Sequence, residues 1–166
     1  MSGLDAFLGD REITSPAEME ALGRQFGEAL RAGDLVVLTG ALGAGKTTLT
    51  RGIAEALDVR GRIQSPTFVI ARTHPSLGDG PALVHVDAYR LGTDGELDDL
   101  DIDFAHSIVV AEWAAPFAAA VADHWWEVEI DREWNGRGVD SACGTFGHGE
   151  DLDAETPRLV RVSRRP

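Results

Sequence analysis

One stretch constrains the fold of this 166-residue chain more than any other: Gly40-Ala41-Leu42-Gly43-Ala44-Gly45-Lys46-Thr47. It matches the pattern G-x-x-x-x-G-K-S/T of a phosphate-binding loop. The glycines let successive backbone N–H groups point inward at phosphate oxygens, and a helix that follows adds free N–H groups and the positive end of its dipole. In such a loop Lys46 reaches the β- and γ-phosphates, and the hydroxyl of Thr47 binds Mg²⁺.

The residues on either side of this loop have the pattern that the motif requires. An apolar run at 35–38 predicts a buried strand before the loop, and residues 47–57 predict a helix after it, with Leu49, Ile53 and Leu57 facing inward. Lys46 is the only lysine, since the other fourteen basic residues are arginines. A compact ammonium is thus retained at the one position where a phosphate-binding loop needs it.

Composition restricts the class of protein. The length favours one domain, 1–166, and the net charge of −13 disfavours direct gripping of a nucleic-acid backbone. The single cysteine, Cys143, excludes an intrachain disulfide and a cysteine-based metal cluster. The N-terminus has no basic and apolar signal pattern, and no apolar run reaches transmembrane length. We therefore expect a cytoplasmic protein with no membrane partner.

Helical and strand patterns alternate along the rest of the chain. Residues 1–10 look frayed, 11–14 suit a short edge strand, and Ser15-Pro16-Ala17-Glu18 has the pattern of a helix start, with Gly33 as the helix end. Further strands are predicted at 65–70, 82–87, 107–112, 125–131 and 158–163. Residues 134–157 are Gly-rich and acidic, and we expect a mobile insertion in a hairpin. This order predicts an α/β fold of the P-loop NTPase type, with a mostly parallel sheet flanked by helices and a C-terminal antiparallel hairpin.

Two carboxylates end predicted strands. Ligands of such sheets lie at the carboxyl ends of the strands, where Asp87 and Glu112 join the loop. A nucleoside-triphosphate site needs carboxylates there to hold Mg²⁺ and to orient an attacking water. Ser65-Pro66-Thr67 precedes the next strand, where the hydroxyl of Thr67 is placed to approach the γ-phosphate. His85 alternates with Asp87 and is expected to pack on the sheet rather than to take part in chemistry.

The chain resembles the TsaE family, the small ATPases of bacterial tRNA threonylcarbamoyladenosine synthesis. The matching pieces keep the family's order and spacing from about residue 11 to 131. The phosphate-binding loop alone is generic, whereas Ser-Pro-Thr-Phe and His-x-Asp-x-Tyr-Arg-Leu together with Glu-Trp are specific to the family. These pieces are Gly43-Ala44-Gly45-Lys46-Thr47-Thr48, Ser65-Pro66-Thr67-Phe68, His85-Val86-Asp87-Ala88-Tyr89-Arg90-Leu91, Glu96-Leu97, Asp103-Phe104 and Glu112-Trp113.

The resemblance implies that ATP is bound with Mg²⁺ and hydrolysed, in a complex with TsaB-like and TsaD-like proteins. TsaD modifies adenosine 37 of tRNAs that read codons starting with A, and this chain would meet tRNA only through that complex. By motif, Thr47 and Glu112 would hold Mg²⁺ with Asp87 nearby, and Asp87 would serve hydrolysis with Lys46 and Thr67. The residues expected to bind the nucleotide are Gly40, Ala41, Leu42, Gly43, Ala44, Gly45, Lys46, Thr47 and Thr48, with Thr14, Ser15 and Arg158 near the adenine.

Two other functions remain open on the residues alone. A P-loop small-molecule kinase would need an Arg-rich lid over the phosphates, and the arginines between 60 and 90 form no evident cluster. A nucleotide-gated binding module with negligible turnover would also fit the acidic composition and Glu112-Trp113. A GTPase is disfavoured, because the single Asn135 and the single Lys46 cannot form an Asn-Lys-x-Asp loop.

Overall fold

A computed structural model describes residues 3–64, 70–91, 99–133 and 156–166, except the side chain of Arg90. Its strands are β1 Gly9–Ile13, β2 Leu35–Gly40, β3 Ala71–His74, β4 Ala82–Asp87, β5 Ser107–Glu112, β6 Trp125–Asp131 and β7 Arg158–Arg165. Its α-helices are α1 Pro16–Ala29, α2 Lys46–Ala56 and α3 Ala118–Val121, and 3₁₀ turns cover Gly3–Phe7 and Ala88–Arg90. None of the helices in these ranges is long and apolar enough to cross a membrane.

The seven strands form one sheet in the order β1-β7-β6-β2-β5-β4-β3. The four central strands, β6, β2, β5 and β4, run parallel to one another. The outer strands are antiparallel: β7 to both β6 and β1, and β3 to β4. The predicted α/β sheet with a parallel core and a C-terminal antiparallel hairpin is therefore confirmed. The phosphate-binding loop leaves the carboxyl end of β2, near the middle of the sheet.

Two apolar cores cover the two faces of the sheet. Side chains alternate across a strand, so Val36 and Leu38 pack into the core beneath α1 and α2, whereas Leu35 and Val37 pack into the core on the α3 side. Strands β2, β4 and β5 are buried on both faces and read as nearly continuous apolar runs, whereas β6 alternates buried and more exposed residues.

Helices α1 and α2 approach each other closely through glycines. A Cβ added to Gly23 would lie 2.2 Å from the carbonyl oxygen of Leu49, and one added to Gly52 would lie 2.1 Å from that of Glu20. Neither site has room for a methyl group. These contacts hold α2, and with it the end of the phosphate-binding loop, against α1.

The N-terminal part of the chain differs from the prediction in two places. The first residues are not frayed throughout, because Gly3–Phe7 forms a 3₁₀ turn that buries Leu4 completely and β1 begins at Gly9. Helix α1 ends at Ala29 rather than at Gly33. Leu30 takes an extended conformation and is buried in the core beneath the helices, so packing ends the helix before glycine is reached.

Two predictions fall partly or wholly outside the described residues. Of the strand predicted at 65–70, only Ile70 is described; it precedes β3, which begins at Ala71. The predicted insertion at 134–157 falls almost wholly in the undescribed stretch 134–155. The described strands on either side, β6 and β7, pair up to Asp131 and Leu159, so the base of this hairpin is formed.

Candidate functional site

The phosphate-binding loop curls between β2 and α2 around the ammonium of Lys46. Gly43 and Gly45 have φ angles of 76° and 115°, in the left-handed region that favours glycine. Lys46 Nζ donates to the carbonyl oxygens of Gly40 at 2.8 Å and Ala41 at 2.9 Å. Lys46 is only 5% exposed, so the loop holds one buried positive charge at its centre.

A cleft of about 710 Å³ opens over this loop. The phosphate-binding loop, both predicted carboxylates and the last strand all contribute to its wall. The lining residues are Pro16, Leu42, Gly43, Gly45, Lys46, Thr47, Thr48, Asp87, Tyr89, Glu112, Trp113 and Arg158. The volume is ordinary for a small-molecule or cofactor site.

Three predicted loop residues do not line this cleft. Gly40 and Ala41 instead supply the carbonyl oxygens that hold Lys46. Ala44 is fully buried in the core beneath α1 and α2. A Cβ on Gly40 would lie 2.6 Å from the carbonyl oxygen of Ile130, so this glycine lets β2 turn beside β6. These residues shape the loop rather than its surface.

The two carboxylates emerge side by side from the sheet. Asp87 on β4 stands directly opposite Glu112 on the parallel strand β5. Glu112 is buried at 4% exposure, and its Oε1 lies 3.1 Å from His85 Nε2. Asp87 is half-buried, and its Oδ1 accepts the Tyr89 N–H at 3.0 Å. The expected pairing of these acids at one edge of the sheet is observed, with Glu112 the more enclosed of the two.

Burial and the neighbouring carboxylates shift the pKa of Lys46 in opposite directions. Burial lowers the pKa of the Lys46 ammonium below its ordinary value of 10.5, whereas the negative charges of Glu112 and Asp87 act to raise it. Burial is the larger effect, so the net direction is downward. An anion that entered the cleft beside Lys46 would favour its charged form and offset this cost.

An aromatic pair at the mouth of the cleft was not assigned to the site from sequence. Trp113 has a φ of 62°, which is rare for a bulky residue, and its ring centroid lies 4.7 Å from Lys46 Nζ. Tyr89 packs edge-on against this ring at 5.5 Å between centroids, yet remains 71% exposed. Trp113 could not be placed in the cleft from the sequence, because its position depends on a backbone turn that the residue types do not predict.

Of the three residues expected near the adenine, Arg158 lines the cleft, whereas Thr14 and Ser15 do not. Thr14 and Ser15 do not line the cleft, because their side chains cap α1: the Thr14 hydroxyl donates to Glu18 Oε2 at 2.8 Å, and Ser15 Oγ accepts the Glu18 N–H at 3.2 Å. The next residue, Pro16, does line it. The capping pattern was visible in the sequence and accounts for both hydroxyls.

Arg158 does reach the cleft, from the start of β7. A Cβ added to Gly45 would lie only 2.9 Å from Nη1 of Arg158, so this glycine makes room for the guanidinium. Burial and then the nearby charge of Arg132 lower the pKa of Arg158, which forms no ion pair within the described ranges. Arg132, which sequence reasoning did not single out, donates to the Leu42 carbonyl at 2.9 Å and so ties β6 to the loop. Lys46 and Arg158 are therefore the cationic side chains that line the cleft among the described residues.

The donor set fits a magnesium ion held together with phosphates better than one held by protein alone. The described residues contain no group of three His, Cys, Asp or Glu side chains that could hold a metal. Mg²⁺ commonly takes one or two carboxylates, with water and substrate phosphates completing its shell. The Thr47 hydroxyl and the carboxylates of Asp87 and Glu112 line one cleft and suit that role. Thr67, which was predicted to approach the γ-phosphate, lies outside the described residues.

Comparison with known proteins agrees with this geometry. The family model described as "Threonylcarbamoyl adenosine biosynthesis protein TsaE" matches residues 13–139, which include β2 to β6 and every residue that lines the cleft except Arg158. The chain belongs to the TsaE family. Family members take part in the biosynthesis of threonylcarbamoyladenosine in tRNA, as the family's description states.

Individual TsaE relatives cover most of the chain. A tRNA threonylcarbamoyladenosine biosynthesis protein TsaE of Streptomyces coelicolor is 57% identical over 117 residues, which is 69% of this chain and 79% of that protein. The protein of the same description from Mycobacterium leprae is 50% identical over 121 residues, or 68% and 75% of the two chains. The crystal structure of Bacillus subtilis YdiB superimposes with a TM-score of 0.61 at 26% identity, covering 91% of this chain and 81% of that one.

Proposed function

We propose that this protein binds and hydrolyses ATP with Mg²⁺, and that it does so as a subunit acting with TsaB-like and TsaD-like proteins. The reaction served is the N6-threonylcarbamoylation of adenosine 37 in tRNAs that read codons starting with A. One observation carries the proposal: a phosphate-binding loop, a buried ammonium and two carboxylates on adjacent strand ends converge on one cleft in a chain of the TsaE family.

The phosphate-binding loop and Lys46 form the end of the cleft where the phosphates would bind. The loop from Gly43 to Thr48 supplies backbone N–H groups and the N-terminus of α2, and Lys46 supplies the charge that meets the β- and γ-phosphates. Arg158 and Pro16 line the same cleft from β7 and α1 and would meet the rest of the nucleotide. The hydroxyls of Thr14 and Ser15 are hydrogen-bonded at the start of α1, so their contact with the adenine stays a prediction.

The two carboxylates would divide the work. Glu112 is buried and anchored by a hydrogen bond, which suits a rigid metal ligand beside the Thr47 hydroxyl. Asp87 is less buried and starts the 3₁₀ turn at Ala88, so it is better placed to orient the attacking water and accept its proton. A bound Mg²⁺ would neutralise charge on the phosphate oxygens and help fix the γ-phosphate for in-line attack.

Partners enter the proposal through the family and through charge. The chain carries a net charge of −13, so direct binding to a tRNA backbone is disfavoured and contact with tRNA would run through the partner proteins. Since tRNA modification is the process served, we place the protein in the cytoplasm.

A reconstitution tests this function. ATP hydrolysis is measured for the protein alone and with a TsaB/TsaD pair, and co-purification is repeated with ATP, with ADP and without nucleotide. We expect weak hydrolysis alone, stimulation by the partners, and recruitment that depends on ATP. Recruitment by ATP with no hydrolysis would instead favour a nucleotide-gated binding module, and absence of both nucleotide binding and recruitment would refute the proposal.

A further inference from the structure

A buried histidine touches the site, but the proposed function gives it no role. Nε2 of His85 lies 3.1 Å from Oε1 of Glu112, and the two side chains are 1% and 5% exposed. Both side chains are as buried as core residues, but Glu112 lines the cleft and His85 does not. His85 therefore connects the interior of the sheet to the site.

The strand register explains how the contact arises. On the parallel pair β4 and β5, His85 stands opposite Val110, and Asp87 stands opposite Glu112. Residues two apart share a face, so His85 and Asp87 flank Glu112 from the same side of the sheet, one from behind and one alongside. The imidazole thus reaches Glu112 from beneath, on the side away from the opening of the cleft.

The chemistry of the pair fixes which group donates. An ionised carboxylate can only accept, so the proton of this hydrogen bond lies on His85 Nε2. Within the described ranges, His85 is the one side chain hydrogen-bonded to Glu112. A buried carboxylate is costly unless it is hydrogen-bonded, so this contact satisfies Oε1 and restricts the orientation of the carboxylate.

We propose that His85 is the positioning residue for Glu112: it holds Oε1 so that Oε2 is presented to the divalent cation bound with the nucleotide. This inference rests on the proposed function, which makes Glu112 a metal ligand. Hydrogen bonds behind metal ligands set the orientation of those ligands, and their loss lowers metal affinity by about 10- to 100-fold.

The experiment compares three substitutions of the buried His85 that differ in whether they place a hydrogen-bond donor within reach of Glu112. His85→Leu removes the donor, His85→Gln places an amide nitrogen about as far out as Nε2, and His85→Asn ends short of Glu112. His74→Leu is the matched control, because His74 is also buried, at 3% exposure, but bonds the Arg60 carbonyl and does not line the cleft. Binding of Mn²⁺ in the presence of a non-hydrolysable ATP analogue is followed by electron paramagnetic resonance. Affinity for the analogue in EDTA is measured by calorimetry.

We expect His85→Leu and His85→Asn to weaken Mn²⁺ binding by about 10- to 100-fold while affinity for the analogue in EDTA stays within about twofold. His85→Gln should retain most of the metal affinity, and His74→Leu should retain all of it. Should His85→Leu fail to fold, the contrast between Gln and Asn decides the matter in the same way.

Other outcomes overturn the inference. Wild-type Mn²⁺ affinity in all three His85 variants, or an equal loss in His74→Leu, would show that His85 only fills the core. In both cases the wild type still binds the metal–nucleotide complex, so the proposed function survives. If the wild type binds no nucleotide, the proposed function fails and this inference fails with it.

Discussion

The Nζ of Lys46 lies 4.7 Å from the centroid of the Trp113 ring. The ring and the carbonyl oxygens of Gly40 and Ala41 together enclose the ammonium, which leaves it little contact with water. Trp113 takes a left-handed conformation, at φ 62°, to reach this position. Strain of this kind costs about 1–3 kcal/mol and is tolerated where surrounding contacts overdetermine it.

The first prediction concerns the pKa of Lys46, which can be measured without ambiguity because the protein has no other lysine. With ¹³C-labelled lysine, the single Cε resonance should titrate with a pKa below 10.5, since burial is the largest influence on it. Glu112→Gln should lower the pKa further by removing the opposing negative charge. The urea-unfolded chain is the control and should titrate near the ordinary value. A folded pKa at or above that of the unfolded chain would contradict the prediction.

The lowered pKa of Lys46 also makes the free energy of unfolding depend on pH. A lysine whose pKa is lower in the folded state binds its proton less tightly there than in the unfolded chain. The free energy of unfolding should therefore rise, at this residue, as pH increases through the folded pKa toward 10.5.

The second prediction removes the same ammonium. Lys46→Ala should lose about 2–4 kcal/mol of Mg·ATP binding free energy, because a charge-assisted contact to the phosphates is lost in an enclosed site. Isothermal titration calorimetry measures the change. Arg51→Ala is the matched control, since it removes one positive charge from the same helix at a 53% exposed side chain outside the cleft. Unchanged affinity in Lys46→Ala would refute the phosphate-loop assignment.

The third prediction separates the two carboxylates. Glu112→Gln should weaken Mg²⁺-dependent ATP binding, because the neutral amide is a poor magnesium ligand. Asp87→Asn should bind Mg·ATP nearly as well as the wild type and lose about 10²-fold or more in turnover, because it can no longer accept a proton from water. Paired measurements of affinity and of single-turnover hydrolysis test both. The opposite pattern would reverse the roles, and full turnover in both variants would exclude the two acids from the reaction.

The fourth prediction concerns the crossing of α1 and α2. Gly52→Ala should destabilise the protein by about 2 kcal/mol or more, since its new methyl group would meet the Glu20 carbonyl oxygen and the helices would have to separate. Urea unfolding monitored by circular dichroism gives the change. Gly78→Ala, at a site where a Cβ meets nothing within 4 Å, should stay within about 0.5 kcal/mol of the wild type. Equal stability of the two variants would mean that the helices can move apart at no cost.

The fifth prediction concerns the hairpin between β6 and β7. Deletion of residues 136–155 should leave ATP affinity within a few fold, because β6 and β7 are already paired at Asp131 and Leu159 and the remaining residues can close the turn. Affinity is measured alongside the thermal unfolding midpoint. A deletion variant that does not fold would show that the segment belongs to the core.

The central sheet was predictable because its strands carry a strong local signal. Strands β2, β4 and β5 are buried on both faces, so Leu35 to Leu38 and the similar later runs read as strands without any tertiary information. The end of α1 was not predictable in the same way. Gly33 is the better local stop signal, but the helix ends earlier because Leu30 is buried in the core, and that burial exists only once the domain has formed.

The candidate site shows the same division. Asp87 and Glu112 could be placed together from sequence, because both end predicted parallel strands and parallel strands share a carboxyl edge. Trp113 could not, since one unusual φ angle brings it over Lys46. The hydroxyls of Thr14 and Ser15 cap α1, as the local helix-start pattern indicated, and their contact with the adenine stays a prediction.

The position of β7 between β1 and β6 has a consequence for the order of folding. Strand β1 lies at the sheet edge and pairs with β7, where Arg161 Nε donates to Asp10 Oδ1 across 151 positions of sequence at 2.8 Å. Contacts so distant in sequence form late, because closing a long loop costs entropy before any pairing repays it. The parallel strands and the β6–β7 hairpin need no residue of β1, so the loop, both acids and Arg158 can come together before β1 pairs. In a refolding chain, nucleotide affinity should therefore appear before β1 closes the edge of the sheet.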